Sequence, residues 1–202
     1  MLLSFSDQER TVLHGFVEAG IALSSEKLGQ LTKARWDIVS SSVEELPVAK
    51  ILATFREDDY RACGVHLSSR SLLPVEVLLL FTEAGARDVT GAVVEASGGV
   101  LKKLADPQAA VISEVGNILG QGVLKALADG LNISLILSSP RLLKGPRSEV
   151  LCQSIGSFDA DKDAVILLRI DMSSEKLASG CGMALVLDVA LIRRLLQNAQ
   201  LA

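Results

Sequence analysis

The stretch PQAAVISEVGNILGQGVLKALADG, residues 107–130, carries most of the information about the fold. Its apolar side chains recur every three or four residues, which is the spacing of an amphipathic helix. Asp106 is a suitable N-cap, Pro107 suits the first helical position, and Gly130 fits a helix end. We therefore predict a long helix over 107–130 whose core-facing stripe contains Val111, Ile112, Val115, Ile118, Leu119 and Ala126.

The order of elements around this helix occurs twice in the chain. The first copy begins with a helical pattern over residues 7–33. Strand-like stretches follow at 36–42, 49–56, 61–68 and 75–82, and a short helix is predicted over 84–96. After the helix at 107–130, strand-like stretches recur at 132–139, 149–157, 164–172 and 183–187, with a final helix over 188–199.

This repeat predicts an α+β fold with pseudo-two-fold symmetry. Two long helices are expected to pack on a mainly antiparallel sheet with short flanking helices. Each half by itself would leave a sheet edge and a helix stripe uncovered, and pairing the halves covers both. We therefore expect a single domain over 1–202, with internal repeats at about 7–100 and 106–200.

Composition argues against several classes of function. The 202 residues include 20 basic and 24 acidic side chains, and a net charge of −4 disfavours a nucleic-acid-binding surface. Aromatic residues make up 3% of the chain, which is too few for base-stacking platforms. No apolar run approaches the ~20 residues of a membrane span, and residues 1–10 lack the basic segment of a signal peptide. The expectation is a cytoplasmic protein.

The residue types used by common enzymes are scarce. Cys63, Cys152 and Cys181 lie far apart, which predicts reduced thiols in the core. His14 and His66 are the only histidines, and nothing in the sequence pairs either with a nucleophile. Neither zinc-ligand spacing nor a phosphate-binding glycine loop occurs. We expect no cofactor or metal of the chain's own.

A polar stripe runs along the predicted helix at 107–130, opposite its apolar stripe. It contains Glu114, Asn117, Gln121 and Lys125. Glu114 and Asn117 are three residues apart, so their side chains lie side by side. Their predicted neighbours Ala110, Ser113 and Gly120 are small, which suits docking against a macromolecule. The plain alternative is a solvated helix face.

The wider spacing adds specificity, because 22 residues separate Asn117 from Pro140. Glu114, Asn117 and Pro140 together resemble the Glu-x-x-Asn-x22-Pro signature of the CheC/CheX/FliY phosphatases of bacterial and archaeal chemotaxis. The duplicated order of elements resembles that family over essentially the whole chain. The family's pattern starts with Asp or Ser four residues before the Glu, where this chain has Ala110.

The resemblance implies a phosphatase that hydrolyses the aspartyl phosphate of a CheY-type response regulator. Asn117 would orient the attacking water, and Glu114 would pair with the active-site Lys of the regulator. Ser113, Gly120 and Gln121 would contact the partner, and Pro140 would shape the turn after the strand that follows the helix. The Mg²⁺ ion would belong to the regulator, and CheD is a further candidate partner.

The first long helix cannot carry a second copy of this motif. The asparagines of the chain are Asn117, Asn132 and Asn198, so no Glu-x-x-Asn pair occurs in the first half. We therefore expect one site, with the first helix as scaffold. Two alternatives stay open: a non-catalytic adaptor that binds a response regulator, CheD or a flagellar switch component, and a structural domain with an accidental motif. Monomer and homodimer are both compatible with the sequence.

Overall fold

The computed structural model describes residues 6–57, 59–69, 71, 73–156, 158–159, 164–174, 177 and 179–200. The helices within these residues are α1 (Asp7–Thr32), α2 (Val48–Glu57), α3 (Glu83–Ala96), α4 (Pro107–Leu131), α5 (Arg147–Ser154) and α6 (Val189–Gln200). The strands are β1 (Asp37–Pro47), β2 (Arg61–Ser69), β3 (Val75–Thr82), β4 (Arg141–Pro146), β5 (Ala164–Ser174) and β6 (Ser179–Asp188). Each half has the order helix, strand, helix, strand, strand, helix.

The strands form one antiparallel sheet in the order β1-β5-β6-β3-β2-β4. The last strands of the two halves, β3 and β6, pair at its centre, where Leu79 lies opposite Met183. The first strand of each half lies at an outer edge and pairs with the other half, β1 with β5 and β4 with β2. The predicted α+β class, with its duplicated and antiparallel arrangement, is confirmed.

Helices cover both faces of the sheet. One core lies between the sheet and the helices α1, α3, α4 and α6, and the other lies under α2 and α5. Side chains alternate between the two cores along β3, since Val77 and Leu79 face the long helices whereas Leu78 and Leu80 face α2 and α5. Burial of both faces explains why β3 reads as a nearly continuous apolar run, which is more typical of parallel sheets.

Two predicted strands are wrong, because residues 49–56 and 149–157 fall largely in the helices α2 and α5. In α2 the buried side chains are Val48, Ile51 and Phe55, which lie at helical spacing. Both helices directly follow a proline that ends an edge strand, Pro47 and Pro146. Short apolar segments do not distinguish a strand from a helix, and their packing across the outer face of the sheet decides the outcome.

The predicted strand at 132–139 is also wrong. This segment is extended beside β2, where Ser138 N donates to Ser68 O at 2.8 Å, but only an isolated bridge joins Leu137 to Ser69. The strand at this edge is β4, which begins after Pro140. Similarly, α4 does not stop at Gly130 but continues to Leu131.

The C-cap of α4 is Asn132, the residue after Leu131, which adopts a left-handed conformation with φ 52°. Gly130 is needed for packing, because a Cβ there would overlap the ring of Phe16 on α1.

Candidate functional site

The two long helices pack against each other in antiparallel directions. Gly20 of α1 lies against Gly122 and Val123 of α4. The hydroxyl of Ser24, one turn later in α1, shares its hydrogen between Gly20 O at 2.8 Å and Ile118 O at 3.2 Å. A Cβ at Gly20 would come within 2.5 Å of the Val123 Cα, and one at Gly122 would overlap the Ser24 hydroxyl. Glycine at these two positions therefore allows the helix backbones to approach closely.

Two more glycines of α4 rest on the sheet. A Cβ at Gly120 would lie 2.9 Å from Leu67 Cδ1, and one at Gly116 would overlap Val65. Leu67 and Val65 belong to β2, so these glycines let α4 lie close to this strand. Gly120 is buried there, so it does not lie on the exposed face of α4 where the sequence placed it.

The start of α4 is as predicted, since Asp106 accepts from Ala109 N at 2.9 Å and Pro107 occupies the first turn. The predicted apolar stripe is confirmed by its buried members, Val111, Ile112, Val115 and Leu119. Ile118 and Ala126 are only half-buried and lie at its margins.

The polar stripe lies at the surface. Glu114, Gln121 and Lys125 are exposed, and Asn117 is half-buried. Of its predicted neighbours, Ala110 is exposed and Ser113 is half-buried. The pair Glu114 and Asn117 is therefore accessible to a macromolecule.

The carboxamide of Asn117 is held by the next turn of its own helix. Gln121 Nε2 donates to Asn117 Oδ1 at 2.9 Å, the (i, i+4) geometry that stabilises such pairs on helices. The Oδ1 atom retains a second lone pair, and the Nδ2 amide has two donor hydrogens. One turn further, Lys125 Nζ donates to Asp129 Oδ2 at 2.7 Å, so this ammonium is already paired.

A groove of about 650 Å³ runs between α1 and α4 beside these side chains, and we call it the α1–α4 groove. Its α4 side consists of Glu114, Asn117, Ile118, Gln121, Gly122 and Lys125. Its α1 side consists of Leu23, Ser24, Glu26, Lys27 and Gln30. The α1 side was missed at the sequence level, although Leu23, Glu26, Lys27 and Gln30 have the i, i+3, i+4, i+7 spacing of one helix face.

Pro140 lies away from this groove in the described structure. It is half-buried and directly precedes β4, whose first residue, Arg141, pairs with His66 of β2. Because the segment before it is not a strand, Pro140 connects an extended segment to the edge strand. It is not among the described residues that line the α1–α4 groove.

The three thiols differ in their exposure. Cys63 and Cys181 are buried as predicted, whereas the prediction is wrong for Cys152, which is exposed. Burial raises the pKa of the Cys181 thiol to about 12, with a smaller contribution from Asp171, and burial also raises the pKa of Cys63. A raised pKa keeps these thiols protonated and unsuited to nucleophilic attack.

The imidazoles are engaged with neighbouring side chains. His66 Nε2 lies 2.7 Å from Glu76 Oε2 inside the protein, and His14 Nδ1 lies 3.5 Å from Glu18 Oε2. Among the described residues, no group of three or more His, Cys, Asp or Glu side chains could hold a metal ion. No helix in the described part of the chain is long and apolar enough to cross a membrane.

Solved structures share this arrangement of helices and sheet. FliY from Thermotoga maritima matches with a TM-score of 0.73 over 98% of both chains, at 12% sequence identity. The chain has the fold of the CheC/CheX/FliY-type chemotaxis proteins. The FliM middle domain from H. pylori shares this CheC-like fold, with a TM-score of 0.68 and 11% identity over 96% of this chain and 99% of that one. CheX from Vibrio vulnificus matches with a TM-score of 0.56 and 11% identity, over 86% and 99% of the two chains.

Sequence comparisons add nothing to these structural matches. No protein-family model matches the chain, and no curated protein matches it. The structural likeness at this level of identity shows the fold alone, and the chemistry depends on the side chains of the α1–α4 groove.

Proposed function

We propose that this chain hydrolyses the aspartyl phosphate of a CheY-type response regulator. The observation that carries the proposal is the accessible pair Glu114 and Asn117, side by side on α4 within the groove of a CheC-like fold. An acyl phosphate is already a reactive electrophile. Its hydrolysis needs mainly a positioned water molecule and compensation of the developing charge.

Asn117 is the residue that positions the water. Its carboxamide offers both an acceptor and donors, and the bond from Gln121 restrains its rotation. The oxygen of the oriented water attacks phosphorus, the bond from phosphorus to the aspartyl oxygen breaks, and the aspartate leaves as a carboxylate with inorganic phosphate as the other product. Glu114 pairs with the lysine of the regulator and aligns the two proteins.

The regulator supplies the remaining groups. Mg²⁺ bound by the partner would offset the charge on the phosphoryl oxygens, so this chain needs no metal of its own. In this proposal Ser113 lies at the edge of the contact, and Pro140 has a structural role at the start of β4.

The first prediction concerns the decay of a phosphorylated receiver domain in the presence of the chain. Asn117→Ala should lower the acceleration at least ~100-fold, because the water loses its orienting group. Glu114→Ala should weaken it mainly through poorer docking. The matched control is Asn198→Ala, which removes an exposed helical asparagine of α6 and should leave the rate unchanged.

Circular dichroism of each variant establishes that the helices are intact. If the parent chain accelerates no receiver of its own organism, or if Asn117→Ala retains full activity, the phosphatase proposal is wrong.

A second candidate function is a non-catalytic adaptor. It is favoured by the FliM structures, since the FliM protein of H. pylori has been crystallised in complexes with FliG and with SpeE. An adaptor would bind a response regulator, CheD or a flagellar switch component without turnover. The same decay experiment separates the two functions, because an adaptor binds the receiver and leaves its phosphate lifetime unchanged.

A further inference from the structure

We infer that the α1 side of the α1–α4 groove recognises the phosphorylated receiver domain, with Leu23 as its apolar anchor. This inference rests on the proposed function, because it takes the receiver as the occupant of the groove. The sequence assigned α1 a scaffold role only. The structure instead places Leu23, Glu26, Lys27 and Gln30 in the same groove as Glu114 and Asn117.

A specific contact with a globular partner needs more surface than α4 offers. A specific protein–protein interface buries about 800 Å² on each partner. A single helix is about 10 Å wide, and the exposed polar stripe of α4 is a few side chains long, so α4 alone cannot supply that area. Because α1 and α4 approach closely at Gly20 and Gly122, their outer faces form one continuous surface. A globular partner that reaches Asn117 therefore also contacts α1.

Leu23 is an exposed apolar residue of α1. Its side chain is 63% exposed, whereas Leu13, Val17 and Ile21 of the same helix are buried in the core. The fully buried centre of a protein–protein interface is more apolar than its polar rim. Leu23 fits that description, because it lies among the polar and charged side chains of the groove.

The charges of the groove also suit a phosphorylated receiver. Each side of the groove has a carboxylate and an ammonium, Glu26 and Lys27 on α1 and Glu114 and Lys125 on α4. The Lys125 ammonium is paired with Asp129 on its own helix. A phosphorylated aspartate is anionic and the lysine beside it is cationic. The pair Lys27 and Glu114 matches this distribution, which favours encounter in one orientation.

The experiment measures binding and turnover separately. The probe is a CheY-type receiver domain of the same organism, free or activated with beryllofluoride as the phosphoryl mimic, and the readout is the Kd from titration calorimetry. Leu23→Ser should raise the Kd of the activated receiver about 10-fold. In turnover it should raise KM with kcat unchanged, because the water-positioning group is intact. Asn117→Ala should instead lower kcat and leave KM unchanged.

The matched control is Val39→Ser. Val39 is 65% exposed, lies on the edge strand β1 and does not line the groove. This variant should leave the Kd within twofold of the parent value. Lys27→Glu tests the charge argument, and it should weaken binding of the activated receiver more than that of the free one, with a difference that shrinks as salt is added.

Each outcome has a definite meaning. An unchanged Kd in Leu23→Ser, an equal loss in Val39→Ser, or no binding of any receiver overturns the inference. A homodimer of the parent chain that Leu23→Ser dissociates also overturns it, since a second copy would then cover the groove. If Leu23→Ser weakens binding but the parent chain never accelerates hydrolysis, the docking surface stands and the phosphatase proposal fails in favour of an adaptor.

Discussion

At the scale of single residues, the bond from Gln121 to Asn117 suggests a second role for Gln121 beside the predicted partner contact. The sequence placed Gln121 among the residues that contact the partner. In the structure its Nε2 donates to Asn117 Oδ1 at 2.9 Å, one helical turn away. A carboxamide that is free to rotate would hold a water molecule in many orientations. Under the proposed phosphatase function, we expect Gln121 to restrain the Asn117 carboxamide as a positioning residue.

Two substitutions of Gln121 test this role. Gln121→Ala removes the donor and should lower kcat about 10-fold with little change in KM, because docking is retained but the carboxamide rotates. Gln121→Glu replaces the donor by an acceptor, which forces the Asn117 amide to turn its nitrogen toward position 121, and the loss in kcat should be larger. Single-turnover decay of the phosphorylated receiver measures both effects.

The control for these variants is Gln197→Ala, which removes an exposed glutamine of α6. The NMR shifts of the Asn117 side-chain amide give a readout that does not depend on turnover. A rise in KM with kcat unchanged in Gln121→Ala would assign Gln121 to partner contact instead.

At the scale of elements, the four glycines of α4 are explained by what the helix touches. Each glycine costs about 0.5–1 kcal/mol relative to alanine inside a helix. Their lack of a side chain lets α4 pack closely on its neighbours. Gly116 and Gly120 lie on β2, Gly122 lies on α1, and Gly130 accommodates the ring of Phe16. The close approach at Gly20 and Gly122 determines the width of the α1–α4 groove.

A substitution at Gly122 tests the close packing of α1 against α4. Gly122→Ala places a methyl group on Ser24 and should lower the free energy of unfolding by about 1–3 kcal/mol, the usual cost of overpacking. It should also weaken receiver binding, because the two sides of the groove move apart. Urea denaturation and calorimetry measure the two effects.

Gly15→Ala is the control on α1, where a Cβ meets no atom within 4 Å. This exposed helical position should gain about 0.5–1 kcal/mol from the better helix propensity of alanine. Equal effects of Gly122→Ala and Gly15→Ala on stability would contradict the packing role of Gly122.

At the scale of the whole molecule, the two halves are joined by exchange of their first strands. β1 of the first half pairs with β5, and β4 of the second half pairs with β2. Each half in isolation would lose an edge strand and the partner of its long helix, and exposed strand edges favour aggregation. The fold is symmetric, yet the Glu114 and Asn117 pair has no counterpart on α1.

The whole-molecule prediction is that neither half folds by itself. Residues 1–103 and 104–202, produced separately, should lack cooperative unfolding and near-ultraviolet circular dichroism, whereas the full chain should unfold in one transition. Mixing the two halves should restore the native spectrum. A first half that is monomeric and cooperatively folded would show that the exchanged strand is dispensable.

Several features followed from the sequence alone because they depend on local periodicity. The existence of α1 and α4 and the placement of Glu114 and Asn117 on one exposed face arise from helical spacing, and the start of α4 follows from the capping preference of Asp106. By contrast, the short helices α2 and α5 were mistaken for strands. A segment of eight to ten residues with a few apolar side chains is compatible with both the repeat of a helix and the repeat of a strand. Packing against the sheet therefore decides which of the two it forms.

The sequence by itself determined the α+β class, its duplication and the neighbouring Glu114 and Asn117, since an interval of three residues places two side chains together on any helix. Only the tertiary structure decided that Gly120 is buried on Leu67, that the first strands are exchanged, and that Leu23 and Lys27 share a groove with Asn117. Periodicity shows which face of a helix is apolar. What that face contacts depends on residues about a hundred positions away, which only long-range packing brings together.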